Sequence, residues 1–370
     1  MAVLPYLRKV AYGSAGILFV VYLFMSWKIQ TGRHIFGDEG VVEVSSEKSF
    51  LSSDAGLSRK AGPEQQGTQQ AHPATPFTKT MNGVQILDCF IYNGEMIAAL
   101  RLEYLYDVVD EIFVVESQMT FSGAIKPQLF IERDAHLFRP YLAKVKFLVI
   151  DDYPEPDQAW LATKANRAWM TDLSVWFRET YQRNFAEGYI KEKYAGQKFV
   201  VLACDVDEIP SREVVAELRS FRYEHAHIAL YFEMEMSYYS FNWTARYQWY
   251  HAFAVSDVGL AKKTLDDYRT ENSRYHLRRS AGWHLSYYMG ISELARKIES
   301  FSHKELNLPE YKAVDHIVEC IRTGKDLFNR GSYFDMLPAG PELQAQRPEG
   351  WQTFAKHLAK VQSPELAQLH

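Results

Sequence analysis

The residues with the greatest chemical reach stand together, as Asp205-Val206-Asp207-Glu208, directly after the apolar run FVVLAC at 199–204. In an extended chain, side chains two apart point the same way, so Asp205 and Asp207 are expected to converge at the end of a strand. Three acids in four residues repel one another, and a divalent cation relieves that repulsion. Mn²⁺ or Mg²⁺ prefers oxygen ligands of this kind. Such an ion bridges carboxylates to a diphosphate and stabilises it as a leaving group. The bland alternative is a set of loop acids, or caps for a helix opening at Pro210. The buried strand before the motif favours the metal, because open α/β sheets bind ligands beyond the carboxyl ends of their strands.

The same strand-end rule selects further candidates. Asn93 and Glu95 follow the run VQILDCFIY and are placed to meet a nucleotide or acceptor, although Asn93-Gly94 is equally a turn signal. Glu116 closes EIFVVES and would bind ribose hydroxyls or act as a base; otherwise it is a cap or an ion-pair partner. Asp207 and Glu208 join it as catalytic candidates. Arg183 offers a planar fork to phosphate, or is a helix charge. His284, in Gly-Trp-His, is a third candidate metal ligand beside Asp205 and Asp207, with Trp283 a substrate contact and His303 a weaker rival. The general base is open among Glu233, Glu235, Asp257, Asp266, Asp267 and Glu271.

The elements that must position these residues read as strand, helix, strand. Strands are expected at 84–92, 111–117, 144–150, 199–204 and 227–236, and helices at 95–109, 160–187 and from Pro210 onward. That order predicts an α/β fold with a mostly parallel central sheet and helices on both faces. After Pro338 the chain reads as loop, followed by a helix-like piece, WQTFAKHLAKV, with no evident task.

The chain has 370 residues, 47% of them hydrophobic and 24% charged, which excludes wholesale disorder. Its net charge of -5 leaves no basic excess for nucleic acid. Three cysteines, Cys89, Cys204 and Cys320, allow at most one bridge and lack zinc-ligand spacing. Residues 10–27 carry no charge, and 18 residues of helix span about 27 Å, enough for a bilayer core. No small-residue cleavage site follows, so an uncleaved signal anchor is expected, with residues 1–9 as a short cytosolic tail. Residues 28–81, with the stretch 62–76 made largely of Gln, Gly, Pro and Thr, read as a flexible stem, leaving a catalytic domain at 82–340 and an extension at 341–370. Asn242-Trp243-Thr244 is the one glycosylation sequon.

Several segments in order resemble glycosyltransferase family 17: DCFIYNGE (88–95), RLEYLYDVVDEIFVVESQMTFSG (101–123), WFRETYQRN (176–184), DVDEIPS (205–211), AGWHLSYY (281–288), KIESFSHKELN (297–307) and IRTGKDLF (321–328). The resemblance implies a GT-A-like nucleotide-diphospho-sugar transferase fold. It also implies inverting transfer of N-acetylglucosamine from UDP-GlcNAc to a glycan, most plausibly a β-linked mannose of an N-glycan core. Mn²⁺ or Mg²⁺ would be the cofactor. With the anchor, it implies a single-pass type II Golgi membrane protein with a lumenal catalytic domain. The competing expectations are another UDP-sugar donor with a cell-surface or capsule acceptor, and a tethered carbohydrate-binding protein that has lost catalysis.

Overall fold

In the computed structural model the described residues are 42–44, 83–164, 172–220, 228–273 and 276–367. The expected tail, the anchor at 10–27, and the stem apart from 42–44 lie outside them. Among the described residues no helix is long and apolar enough to cross a membrane.

The sheet begins with an edge strand, β1 (Val42–Val44), inside the expected stem. Its central strands are β2 (Val84–Ile91), β3 (Glu111–Ser117), β4 (Val145–Ile150) and β5 (Lys198–Ala203). Then come β6 (Glu208–Pro210), β7 (Leu230–Tyr238), β9 (Gln248–Trp249), β10 (Phe253–Ser256) and β11 (Leu277–Ser286), while β8 (Trp243–Thr244) pairs with Leu337–Pro338 in a separate two-stranded sheet. The order across the ten-stranded sheet is β1-β4-β3-β2-β5-β10-β7-β11-β6, with β9 paired to β7. Strands β2 to β5 are mutually parallel, and β7 and β11 run parallel to each other. The mostly parallel α/β sheet expected from the sequence is present.

The sequence explains this arrangement locally. The apolar strands are buried on both faces, as parallel strands covered by helices must be. The pleat sends Ile86, Phe90, Val114 and Leu202 into one core. It sends Leu87, Cys89, Phe113, Val115 and Val201 into the other. The three cysteines are buried and free. From β2 the chain builds outward through β3 to β4, then returns to place β5 on the other side of β2. The reversal opens the crevice between the carboxyl ends of β2 and β5, where ligands bind in such sheets. The acidic motif follows β5 directly.

Two helix expectations change. The long helix expected at 160–187 is not continuous: a new one, α2 (Leu173–Asn184), starts where the Asp172 carboxylate accepts from Ser174 N. That capping bond satisfies an otherwise orphan donor and fixes a start. Pro210 closes β6 rather than opening a helix, and Ser211 caps the helix Arg212–Leu218. The helix expected at 95–109 is α1 (Ala98–Leu105).

The end of the chain is part of the core. Helix α3 (Trp351–Ala367) buries Phe354 and Leu358, and Trp351 packs on Phe241 with centroids 5.1 Å apart. Gln362 donates to the carbonyls of Tyr239 and Met289. Arg347, its side chain fully buried, donates to Glu235 at 2.5 Å. Replacing Arg347 by Ala should cost about 2 kcal/mol, the scale of a lost charged hydrogen bond with its partner left dry. A denaturant midpoint equal to that of the unaltered protein would refute this docking.

Candidate active site

The backbone of the acidic motif is held from below by one side chain. Arg101, on α1, is fully buried and donates through Nε and Nη2 to Asp88 of β2, at 2.9 and 2.5 Å. Its Nη1 reaches the carbonyls of Asp205 and Glu208, at 3.0 and 2.6 Å. The motif is held from the side by pairing. Glu208 opens β6 and stands opposite His284 of β11, while Leu285 N donates to the Asp207 carbonyl. This approach needs Gly282: a Cβ there would lie 2.2 Å from the Ile209 carbonyl oxygen, at φ +147°. Gly282→Ala should therefore displace β6 and lower thermal stability, and a crystal structure with β6 unmoved would refute the requirement.

Each acid then has its own partners. Asp205 accepts from Arg183 at 2.6 Å and from Arg269 at 2.5 Å. Burial pushes its carboxyl up, but the two guanidiniums outweigh burial and bring it down to about 2. Asp207 is buried, with Lys297 Nζ 3.2 Å from one oxygen and His284 Nε2 3.5 Å from the other. Burial again opposes ionisation, and Lys297 and His284 win, holding the carboxyl far below the usual range. Glu208 is fully buried and accepts from Arg269 at 2.8 and 3.0 Å, from Trp249 Nε1 and from Asp205 N.

These depressed values have a pH consequence. A carboxyl lowered by folding stabilises the protein fully above its unfolded value, roughly pH 4, and loses that contribution as pH falls through its folded value. For Asp205 the loss runs from there down to about 2. Asp205→Asn should thus destabilise at pH 7 and narrow its gap to the unaltered protein as pH drops through that window. A gap constant with pH in denaturant titrations would show that the charge is not what matters.

The structure brings some expected residues together and separates others. Asp207 and His284 meet, and Glu95 lies 3.8 Å from the Lys297 ammonium that binds Asp207. Asn93 turns its amide to Ser300 at 2.9 Å, and its own N–H donates to Glu95. Arg183 is present, engaged with Asp205 and Glu179. Asp205 and Asp207 pair with different cations, Asp205 with Arg183 and Arg269 and Asp207 with Lys297.

Trp283 is a correction: the period-two pleat points it away from His284 into the core, edge-on to Tyr104 at 5.8 Å. Glu116 is a second. It is fully buried, accepting from Lys126 and from the Phe130 and Ile131 N–H groups, so it anchors the segment after β3. Glu208 is a third, since its oxygens are spent on holding Arg269 and Trp249. His303 is half exposed and bound to Glu305.

Most of the acids left open for the base are committed elsewhere: Glu235 to Arg347, Asp266 to Thr180, Asp267 to a capping box and Glu271 to Lys263. Glu233 is 3.4 Å from the Tyr250 hydroxyl, and Asp257 begins a short helix. Three site residues escaped the reading of the sequence. Arg269 sits among the acids of TLDDYRTE without a pattern of its own. Lys297 lies inside a segment quoted for its resemblance, and Trp249 sits in an aromatic run.

The donor set fits a divalent cation held by two side chains. Among the described residues no three His, Cys, Asp or Glu side chains form a metal cage. Mg²⁺-like ions, however, take one or two protein ligands and complete their shell with water and substrate phosphates. Two ligand atoms about 2.1 Å from one ion stand roughly 3–4 Å apart, and Asp207 and His284 present that separation. His284 is set by its tilted contact with Trp249, centroids 4.5 Å apart, while among the described residues its buried Nδ1 has no hydrogen-bond partner.

No curated protein matches the chain. The model of glycosyltransferase family 17 matches residues 68–340, most of the chain, and the protein belongs to that family and is a glycosyltransferase.

Proposed function

We propose that the protein transfers N-acetylglucosamine, with inversion, from UDP-GlcNAc to a glycan acceptor, a β-linked mannose of an N-glycan core. The observation that carries a diphosphate-linked donor is the Asp207–His284 pair at the carboxyl end of β5, beside the crevice where the sheet order reverses. Inverting transfer needs a neutralised leaving group, a fixed sugar and an acceptor hydroxyl that loses its proton.

Asp207 and His284 would hold Mn²⁺ or Mg²⁺, which when bound supplies positive charge to the departing diphosphate. The protein's own residues do the rest. Lys297 and the guanidiniums of Arg183 and Arg269 set a positive rim around the acids. Asp205 fixes both guanidiniums, so their forks are preorganised rather than solvated. Glu208 and Arg101 position the backbone between the two Asp residues. Glu95, one-tenth exposed beside Lys297, is the carboxylate we place on the acceptor hydroxyl. We further propose that the segment at 10–27 anchors the enzyme in the Golgi membrane as a type II protein with its catalytic domain in the lumen.

The test is a panel of UDP-sugars with Mn²⁺ and a mannose-terminated N-glycan acceptor. UDP release with mass gain on the glycan is expected with UDP-GlcNAc. Turnover with UDP-galactose alone would replace the donor, and turnover with no sugar nucleotide would defeat the reading.

A further inference from the structure

A line of aromatic rings leaves the reaction site and reaches solvent. Trp249 lies against His284, and Tyr247 precedes it by two residues, at most about 7 Å along the chain. Tyr247 stacks on Tyr333 with centroids 5.9 Å apart and planes 20° from parallel, and Tyr333 is 59% exposed. From the other direction, the Lys297 ammonium that binds Asp207 also sits 5.7 Å from the centre of the Tyr287 ring. Tyr287 meets Tyr238 edge-on at 5.2 Å.

The backbone beneath these rings is strained. Ser286 and Tyr238 are register partners at the ends of β11 and β7. The residues that follow them, Tyr287 and Tyr239, both adopt left-handed conformations, with φ of 61° and 67°. Bulky L residues rarely do so, and such strain persists only where the surroundings impose it, commonly beside ligands.

Charge narrows the occupant. Arg330, whose guanidinium lies over Phe334, is spent on Asp326 at 2.6 Å, and Lys297 is spent on Asp207. Neither cation over these rings is left to take an acidic group. What remains is flat apolar ring surface with hydroxyls at its edge, which suits the apolar face of a sugar.

We infer that Tyr247 and Tyr333 form a stacking platform for a neutral pyranose of an oligosaccharide acceptor, a sugar unit beyond the one that is modified. This rests on the glycan-acceptor reading above and assigns it a subsite. The test compares the unaltered enzyme with Tyr333→Ala and Tyr333→Phe, using an oligosaccharide acceptor and a single-sugar glycoside. Tyr333→Ala should raise KM for the oligosaccharide about fivefold to tenfold, the scale of one aromatic contact. The penalty should be smaller for the single sugar, and Tyr333→Phe should behave like the unaltered enzyme. An unchanged KM for the oligosaccharide, or an equal penalty on both acceptors, overturns the platform. If no sugar nucleotide is turned over, the underlying reading fails instead. Titrating the oligosaccharide against both proteins by tyrosine fluorescence then decides the platform: weaker binding by Tyr333→Ala supports it, and equal binding overturns it.

Discussion

Asp207→Asn should lower kcat/KM for sugar transfer by about 10²–10³-fold, the effect of removing one preorganised group from a site of developing charge. The side chain keeps its shape and still accepts a hydrogen bond from Lys297, so the fold should survive. What disappears is the negative charge that sits 3.5 Å from His284 Nε2 and 3.2 Å from Lys297 Nζ. Glu95, 3.8 Å away, would then be the carboxylate left beside the Lys297 ammonium. Steady-state transfer measured beside a circular dichroism melt separates the outcomes. Full activity in a folded Asp207→Asn protein would remove Asp207 from the chemistry. His284→Ala should weaken the apparent Mn²⁺ affinity, and a titration curve that does not move would take His284 out of the pair.

Arg101→Met should be the most destabilising single change near the site, at about 3–5 kcal/mol, the cost of leaving one partner of a buried ion pair alone. Asp88 has no exposed surface, and Arg101 donates to both its oxygens. The substitution also strips a donor from the carbonyls of Asp205 and Glu208. For a domain of this size such a loss lowers the melting midpoint by roughly 10 °C. Arg101→Lys should not restore it, because a single ammonium cannot span four acceptors that a planar fork reaches together. The double change Asp88→Leu with Arg101→Met should recover much of the stability, since apolar replacement removes the unpaired charge. It should not recover activity, because the carbonyls of Asp205 and Glu208 stay unclamped. Recovery of both would reduce Arg101 to a purely structural role; recovery of neither would locate its importance elsewhere.

The expectations that survived were those set by local pattern. A short run such as EIFVVES reads as a strand buried on both faces, and the acids after FVVLAC then emerge at a strand end. Errors arose wherever a residue's surroundings come from distant parts of the chain. Trp283 and His284 are neighbours with the same apparent promise, yet the pleat gives one to the core and the other to Asp207. Glu116, at a strand end like Asp205, was captured by the N–H groups of Phe130 and Ile131 before any ligand could meet it. Convergence of Asp205 and Asp207 is the expectation for an extended chain. What that expectation could not include is that Arg183 and Arg269 pair with one carboxylate and Lys297 with the other.

By itself, then, the order of amino acids determined the alternating strands and helices, the acidic motif at a strand end and the family. Periodicity, capping and composition act over a few residues and are written along the chain. Only the tertiary structure decided which acids face the crevice, that Arg269, Lys297 and Trp249 belong beside them, and that the C-terminal helix completes the core. Those outcomes depend on compensating buried charge, pairing polar groups and filling apolar volume between distant segments, such as Asn93 and Ser300, 207 residues apart. No short window of sequence contains both sides of such a contact.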